Sequence, residues 1–152
     1  MKKFLIAAFL LVPLFSFAQL RVGVGAGYLG AIGGFSDTHG SGFNVSAVGE
    51  YEFAMVSVIG ELGYNSFSAK DDLNVPVPDV DGISFTAGVR AYLNQKLYFE
   101  TQAGYYFSDF GDAAWIVSAG YQLEKIDFNA GINILTPYQF FNVGVAYRLF
   151  SK

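Results

Sequence analysis

Near its N-terminus the chain carries a glycine pattern that, taken alone, could bind a nucleotide. Residues 25–30 read GAGYLG and match G-x-G-x-x-G. In dinucleotide-binding proteins this pattern lies between a strand and a helix, with an acidic residue about 20 positions further on. Here the sequence AIGGFSDTHGSG follows, which is typical of a loop. We therefore expect no nucleotide and no other cofactor, and interpret the glycines as small residues on a crowded strand face.

His39 is the only histidine, and it lies beside Ser36, Asp37 and Ser41 in a stretch rich in serine and glycine. Neither a second base nor a distinctive serine motif accompanies it, so the expected role is that of a solvated loop histidine. No catalytic residue is assigned, and the chain is not expected to be an enzyme.

The segments between the apolar stretches are acidic. Their aspartates are Asp37, Asp71, Asp72, Asp79, Asp81, Asp109 and Asp112. The sequence DVDG at residues 79–82 resembles part of a calcium loop, but the remaining ligands and the terminal glutamate are missing. No metal site is assigned. Divalent cations bridging these carboxylates to lipid phosphates are a weaker alternative to simple solvation.

A third set of charges lies inside segments where apolar and polar residues alternate. Its members, all on the polar face, are Arg21, Glu50, Glu52, Glu61, Arg90, Glu100, Asp127 and Arg148. Buried charges must pair, and arginine suits bidentate pairing with carboxylates. If the polar face is enclosed, these residues should form an ion-paired network, to which Tyr92, Tyr98 and Tyr106 add hydroxyls. A static network is expected; a proton- or ion-conducting gate is the alternative.

Period-two alternation predicts the strands that must position these residues. The eight predicted strands cover residues 20–28, 43–53, 55–67, 83–93, 97–107, 114–123, 126–135 and 139–150. The connections alternate between very short turns and longer loops, and each strand holds about ten residues, enough for a tilted strand to cross a membrane. In the second strand Gly49 falls on the apolar face, which suggests a bulge or a register shift there.

The N-terminus predicts export. Lys2 and Lys3 precede a short apolar stretch, and SFA at residues 16–18 places small residues at the cleavage positions. The predicted domains are a signal peptide at residues 1–18 and one barrel at residues 19–152. Without Lys2 and Lys3 the formal charge falls from −4 to −6, which argues against nucleic-acid binding. The absence of cysteine means that stability cannot depend on disulfides.

Alternation alone does not say whether the apolar face points outward into lipid or inward, as in a lipocalin-like carrier. The polar face is rich in Gly, Ser, Asn and Thr and carries no lysine in mid-strand, whereas a water-facing surface is typically about a quarter to a third charged. The apolar face carries aromatics near strand ends, as interfacial girdles do. Both features favour a barrel whose apolar face points outward and contacts lipid.

The end of the chain, NVGVAYRLF before Ser151 and Lys152, resembles the C-terminal assembly signal of bacterial outer-membrane barrels. The residues that carry this likeness are Asn142, Gly144, Tyr147, Leu149 and Phe150. Together with the strand pattern, the mature chain resembles the small eight-stranded outer-membrane barrels of the OmpA/OmpX type: all-β, antiparallel, up-and-down.

The resemblance implies a location in the outer membrane of a Gram-negative-type bacterium. It implies as partners the bilayer with its lipopolysaccharide, the assembly machinery during biogenesis, and an extracellular partner at the loops. The expected role is structural or surface interaction around a filled lumen. Three alternatives stay open: a narrow pore or transporter, a lipid A-modifying barrel enzyme using His39, and a soluble lipid carrier.

Overall fold

The structure, a computed structural model, describes residues 18–70, 76–108, 111–136 and 138–151. Each strand pairs antiparallel with the next, and β1 pairs with β8, which closes a barrel. The strands are β1 (Ala18–Ile32), β2 (His39–Phe53), β3 (Val56–Ala69), β4 (Val80–Tyr92), β5 (Leu97–Ser108), β6 (Asp112–Gln122), β7 (Ile126–Leu135) and β8 (Gln139–Ser151). The predicted eight-stranded, all-β, up-and-down barrel is confirmed. The predicted signal peptide lies outside the described residues except for Ala18, where β1 begins.

The two ends of the barrel differ in the length of their connections. Residues 54–55, 93–96 and 123–125 form tight turns at one end, here called the short-turn end. The other, the long-loop end, carries the connections from β1 to β2, β3 to β4, β5 to β6 and β7 to β8. A short 3-10 helix (Gly33–Asp37) lies in the first of these loops. Among the described residues, no helix has the length and apolar character needed to span a bilayer.

The strands place apolar side chains on the outer wall of the barrel. In β4 buried and exposed positions alternate, as the period of two requires. The exposed large apolar residues include Val22, Val24, Tyr28, Phe43, Val45, Val58, Leu62, Ile83, Phe85, Phe99, Trp115, Val117, Phe128, Ile132, Val143 and Tyr147. The polar side chains point into the lumen. This is the reverse of a lipocalin-like carrier, so that alternative is wrong.

The register of β2 contradicts the predicted irregularity at Gly49. Gly49 pairs with Val22 on one side and Gly60 on the other, and the registers continue without a shift on either side of it. Register shifts lie instead near the start of β2, between His39 and Gly42 in its pairing with β3, and between β1 and β8. In the latter, Val22 pairs with Phe150 and the next residue, Gly23, pairs with Arg148. The extra residue in β8 is Leu149. Since a bulge breaks the alternation, Leu149 and Phe150 are both exposed on the outer wall.

The G-x-G-x-x-G pattern lies within β1, with no α-helix after it. A Cβ on Gly25 would come within 2.9 Å of the Ser46 hydroxyl, and one on Gly27 within 2.5 Å of the Asn44 amide oxygen. These glycines therefore make room for lumen side chains of β2, which is the close-packing role expected from the sequence.

Candidate functional site: the barrel lumen

Arg90, on β4, is the centre of an ion-paired network inside the short-turn end. Its guanidinium nitrogens lie 2.7 Å from Glu100, 2.9 Å from Asp127 and 3.1 Å from Glu50. Glu100 is its direct neighbour in the β4–β5 register, whereas Glu50 and Asp127 reach it across the lumen from β2 and β7. All four side chains are buried. One arginine thus connects four strands through charge-assisted hydrogen bonds.

Two tyrosines complete the surroundings of Arg90. The Tyr98 ring lies 3.9 Å from the guanidinium carbon, and its hydroxyl donates to Asp127 at 2.6 Å. The Tyr92 hydroxyl donates to Glu50 at 2.5 Å and accepts from Arg21 at 3.2 Å. Both rings are buried inside the barrel, and their hydroxyls satisfy buried carboxylate oxygens.

Two further arginines extend the network towards the short turns. Arg21 pairs with Glu52 and lies 3.8 Å from Glu50, and Arg148 lies 3.4 Å from Asp127. The structure thereby brings together seven of the eight lumen charges that the sequence singled out. These seven are Arg21, Glu50, Glu52, Arg90, Glu100, Asp127 and Arg148. Together with Tyr92 and Tyr98 they are called the charge network below.

Glu61 is the predicted lumen charge that stands apart. It lies on β3 between Val48 and Thr86 in the register. Among the residues that the structure describes, it forms no ion pair with an arginine or a lysine. Its polar neighbours are Ser46 and Gln102.

The long-loop end of the lumen is closed by apolar side chains, which the sequence analysis missed. This apolar plug consists of Leu29, Phe35, Phe67, Tyr106, Ala114, Leu135 and Phe140, with Ala31 and Tyr138 packed against it. Phe35 enters from the 3-10 helix, its ring 5.0 Å from Phe67 and 5.1 Å from Tyr138. The available signal was apolar residues on the polar face near the loops, such as Leu29 and Phe67.

His39 is buried over this plug, so its expected role as a solvated loop histidine was wrong. Its ring stacks on Phe35 at 4.7 Å, Nδ1 lies 2.8 Å from the Thr38 hydroxyl, and Nε2 lies 3.2 Å from the Pro78 carbonyl. The Ser36 hydroxyl instead donates to the carbonyl of Gly33. Because both ring nitrogens are engaged, His39 connects two loops in this structure and does not face a serine as a base would.

Between the charge network and the apolar plug lies a polar chamber of about 80 Å³ open to water-sized molecules. Its walls include Asn44, Ser46, Glu61, Asn65, Ser84, Thr86, Gln102, Asn129, Asn133 and Asn142. On one wall the amide nitrogen of Asn133 donates to Asn142, and that of Asn142 donates to Asn129, both at 3.1 Å. The lumen is therefore divided into three layers: ionic, polar and apolar.

The remaining candidates are the acidic loop residues and the residues of the predicted C-terminal assembly signal. Asp79 accepts a hydrogen bond from the Ala69 amide at 2.8 Å, so this part of the DVDG segment stabilises a loop. Asp71, Asp72 and Asp109 lie outside the described residues, and no metal-binding group of acidic, histidine or cysteine residues occurs within the described ones. In β8, Asn142 and Gly144 face the lumen, whereas Tyr147, Leu149 and Phe150 face outward.

Comparison with known proteins supports the fold. No protein-family model and no curated protein matches the sequence. The outer-membrane protein Ail of Yersinia pestis, its attachment invasion locus protein, is 16% identical, with a TM-score of 0.54 over 87% of this chain and 97% of that one. Neisserial surface protein A is 13% identical, with a TM-score of 0.52 over 85% of this chain and 95% of that one. A de novo designed transmembrane barrel is 14% identical, with a TM-score of 0.54 over 88% and 96%.

These similarities show that the chain has the fold of small eight-stranded transmembrane barrels. The resemblance recognised in the sequence is thus confirmed for the fold.

Proposed function

We propose that this protein is an integral outer-membrane barrel that does not conduct and that acts through its loops and its lipid-facing wall, without catalysing a reaction. The apolar outer wall fits a bilayer, since a closed barrel satisfies its backbone hydrogen bonds internally. The proposal includes export by the predicted signal peptide and residence in the outer membrane of a Gram-negative-type bacterium.

The observation that carries the proposal is the closure of the lumen by two unlike layers. A barrel of eight strands is just wide enough for side chains to fill. Here Arg90 and its carboxylates close one end, and Phe35, Phe67 and Phe140 close the other. A continuous path for a solute would require both layers to open. The narrow pore or transporter is therefore the second candidate, supported only by the polar chamber between them.

Single-channel recording tests this proposal. The protein is refolded into vesicles, its insertion is verified by its heat-dependent gel mobility, and the vesicles are fused with a planar bilayer. A known porin added at the end of each run confirms that the bilayer reports openings. The expected result is a silent trace before the porin is added. Discrete openings of the wild-type protein would contradict the proposal and favour the pore.

The enzyme alternative rests on His39, which is buried and hydrogen-bonded through both ring nitrogens. Lipid A is extracted from cells with and without the protein and compared by mass spectrometry. The expected result is an identical set of acyl chains. A change that depends on His39 would overturn the non-enzymatic role.

We propose that the loops contact lipopolysaccharide or a cationic extracellular partner. Ail has been solved in complex with sucrose octasulfate, a heparin analogue and a polyanion. In this chain the long-loop end carries Asp37, Asp79, Asp81 and Asp112, with Lys70 as a cation. Such a surface repels polyanions, nucleic acid included, and suits divalent cations that bridge to phosphates. During biogenesis, the outward side chains Tyr147, Leu149 and Phe150 are proposed to contact the assembly machinery.

A further inference from the structure

The lumen holds more negative than positive side chains. Its carboxylates are Glu50, Glu52, Glu61, Glu100 and Asp127, and its cations are Arg21, Arg90 and Arg148. The lysines within the described residues, Lys70, Lys96 and Lys125, are exposed in loops and turns. The three arginines are already engaged with the carboxylates of the charge network.

Glu61 faces the chamber and forms no ion pair with a cationic side chain of the described residues; Arg90, which also lines the chamber, acts on it only at longer range. An ionised carboxylate enclosed away from bulk water is costly unless it is paired. Ser46 and Gln102 hydrogen-bond to Glu61, but a neutral hydroxyl and a neutral amide bring no charge that would balance the carboxylate. Either a proton or a cation from solution must therefore neutralise Glu61.

The chamber offers the chemistry of a small, hard cation. Its walls present a carboxylate together with the hydroxyl and amide oxygens of Ser46, Ser84, Asn44 and Asn65. Oxygen ligands of this kind suit alkali and alkaline-earth ions and not soft metals. One carboxylate favours a single positive charge. The volume of about 80 Å³ leaves room for several waters to complete the coordination shell.

We propose that the chamber holds one monovalent cation of the Na⁺ type, with the Glu61 carboxylate as its anionic ligand. The ion enters while the barrel folds. It is then retained, because the charge network closes the chamber on one side and the apolar plug closes it on the other. The cation is thus a structural ligand of the lumen and not a permeating ion, which agrees with a silent barrel.

The test is to trap the ion. The wild-type protein is refolded in detergent with ²²NaCl and transferred by gel filtration into choline chloride. The retained radioactivity is then measured and divided by the protein concentration. The expected result is one retained sodium per folded barrel, released when the sample is boiled. Glu61→Gln should retain only background. Glu124→Gln, which removes a carboxylate from an exposed turn, should retain as much as the wild type. No retention by the wild type, or equal retention by Glu61→Gln, would overturn the proposal.

Infrared spectroscopy tests the competing explanation, a proton on Glu61, and the expected result can be obtained on the wild-type protein alone. At pH 8 we expect no band of a protonated carboxyl group. Such a band, absent when Glu61 is replaced by Gln, would show that a proton neutralises this side chain and would overturn the cation site. Neither outcome depends on the conductance experiment, so the two proposals can fail separately.

Discussion

Replacing Arg90 by methionine tests the role of the charge network in holding the barrel together. The substitution keeps an unbranched side chain of similar length but removes the charge and its hydrogen bonds. Glu50 and Asp127 would then keep only the longer contacts with Arg21 and Arg148, and Glu100 would keep no ion pair among the described residues. The buried carboxylates would lose their shared partner while remaining enclosed.

The expected cost follows from the three ion pairs that Arg90 makes. Removing one partner of a buried ion pair costs about 3–5 kcal/mol, because an uncompensated charge stays behind. Contributions within one network do not add, so we expect Arg90→Met to lower the free energy of unfolding by about 3–5 kcal/mol and not by three times that amount. Arg21→Met is the matched control. Its closer partner, Glu52, is the most exposed carboxylate of the network, and a loss of about 1 kcal/mol is expected.

Urea unfolding in lipid vesicles measures these values, followed by the fluorescence of Trp115, the only tryptophan, whose side chain faces outward. The double variant Arg90→Met/Glu100→Met should regain part of the lost free energy of unfolding, because it removes one of the carboxylates that Arg90→Met alone leaves unpaired. An Arg90→Met protein within about 1 kcal/mol of the wild type would refute the reasoning, because that is the size of an exposed ion pair.

Three further predictions use substitutions with built-in comparisons. Gly88→Ala should lower the free energy of unfolding by about 1–3 kcal/mol in the same urea assay, because the added Cβ would overlap the backbone of β5. Gly49→Ala, where the added Cβ meets open space, should change it by no more than about 0.5 kcal/mol. Leu62→Arg on the outer wall should lower the free energy of unfolding in vesicles by about 2–4 kcal/mol, whereas Leu93→Arg in a short turn should lower it by about 1 kcal/mol or less. Equal losses for the two variants would contradict a lipid-facing wall at Leu62. His39→Ala should speed hydrogen exchange at the long-loop end without changing that of the short-turn end, because it removes the stacking on Phe35 and the hydrogen bond to the Pro78 carbonyl, which connects two loops. Equal acceleration at both ends would contradict this local role.

The strands could be predicted because they follow one strong physical rule. A barrel in lipid needs apolar residues outside and small or polar ones inside, so the period of two marks each strand. The charges on the polar face could also be picked out, since a buried Arg90 needs carboxylates and Glu100 is near it in the chain. Which carboxylates share one arginine depends on the register and the curvature of the closed barrel, and the sequence does not state these.

The apolar plug and the roles of His39 and Glu61 were not predictable in the same way. Phe35 belongs to a loop, where no period indicates whether a side chain points into the lumen or into water. His39 looked solvated because its neighbours are serine and glycine, yet burial comes from Phe35 and from Pro78, 39 residues further along the chain. Glu61 looked like the other lumen carboxylates, and only the three-dimensional distances separate it from the arginines.

The most direct test of the membrane barrel is the gel mobility of the protein recovered from an outer-membrane fraction, boiled against unboiled. A closed barrel held by eight continuous strand pairings should resist unfolding by detergent until it is heated, and then shift in mobility. The structure predicts this shift in the outer-membrane fraction. A protein that is instead soluble in the periplasm and unfolds without heating would contradict the apolar outer wall, and with it the proposed location and function.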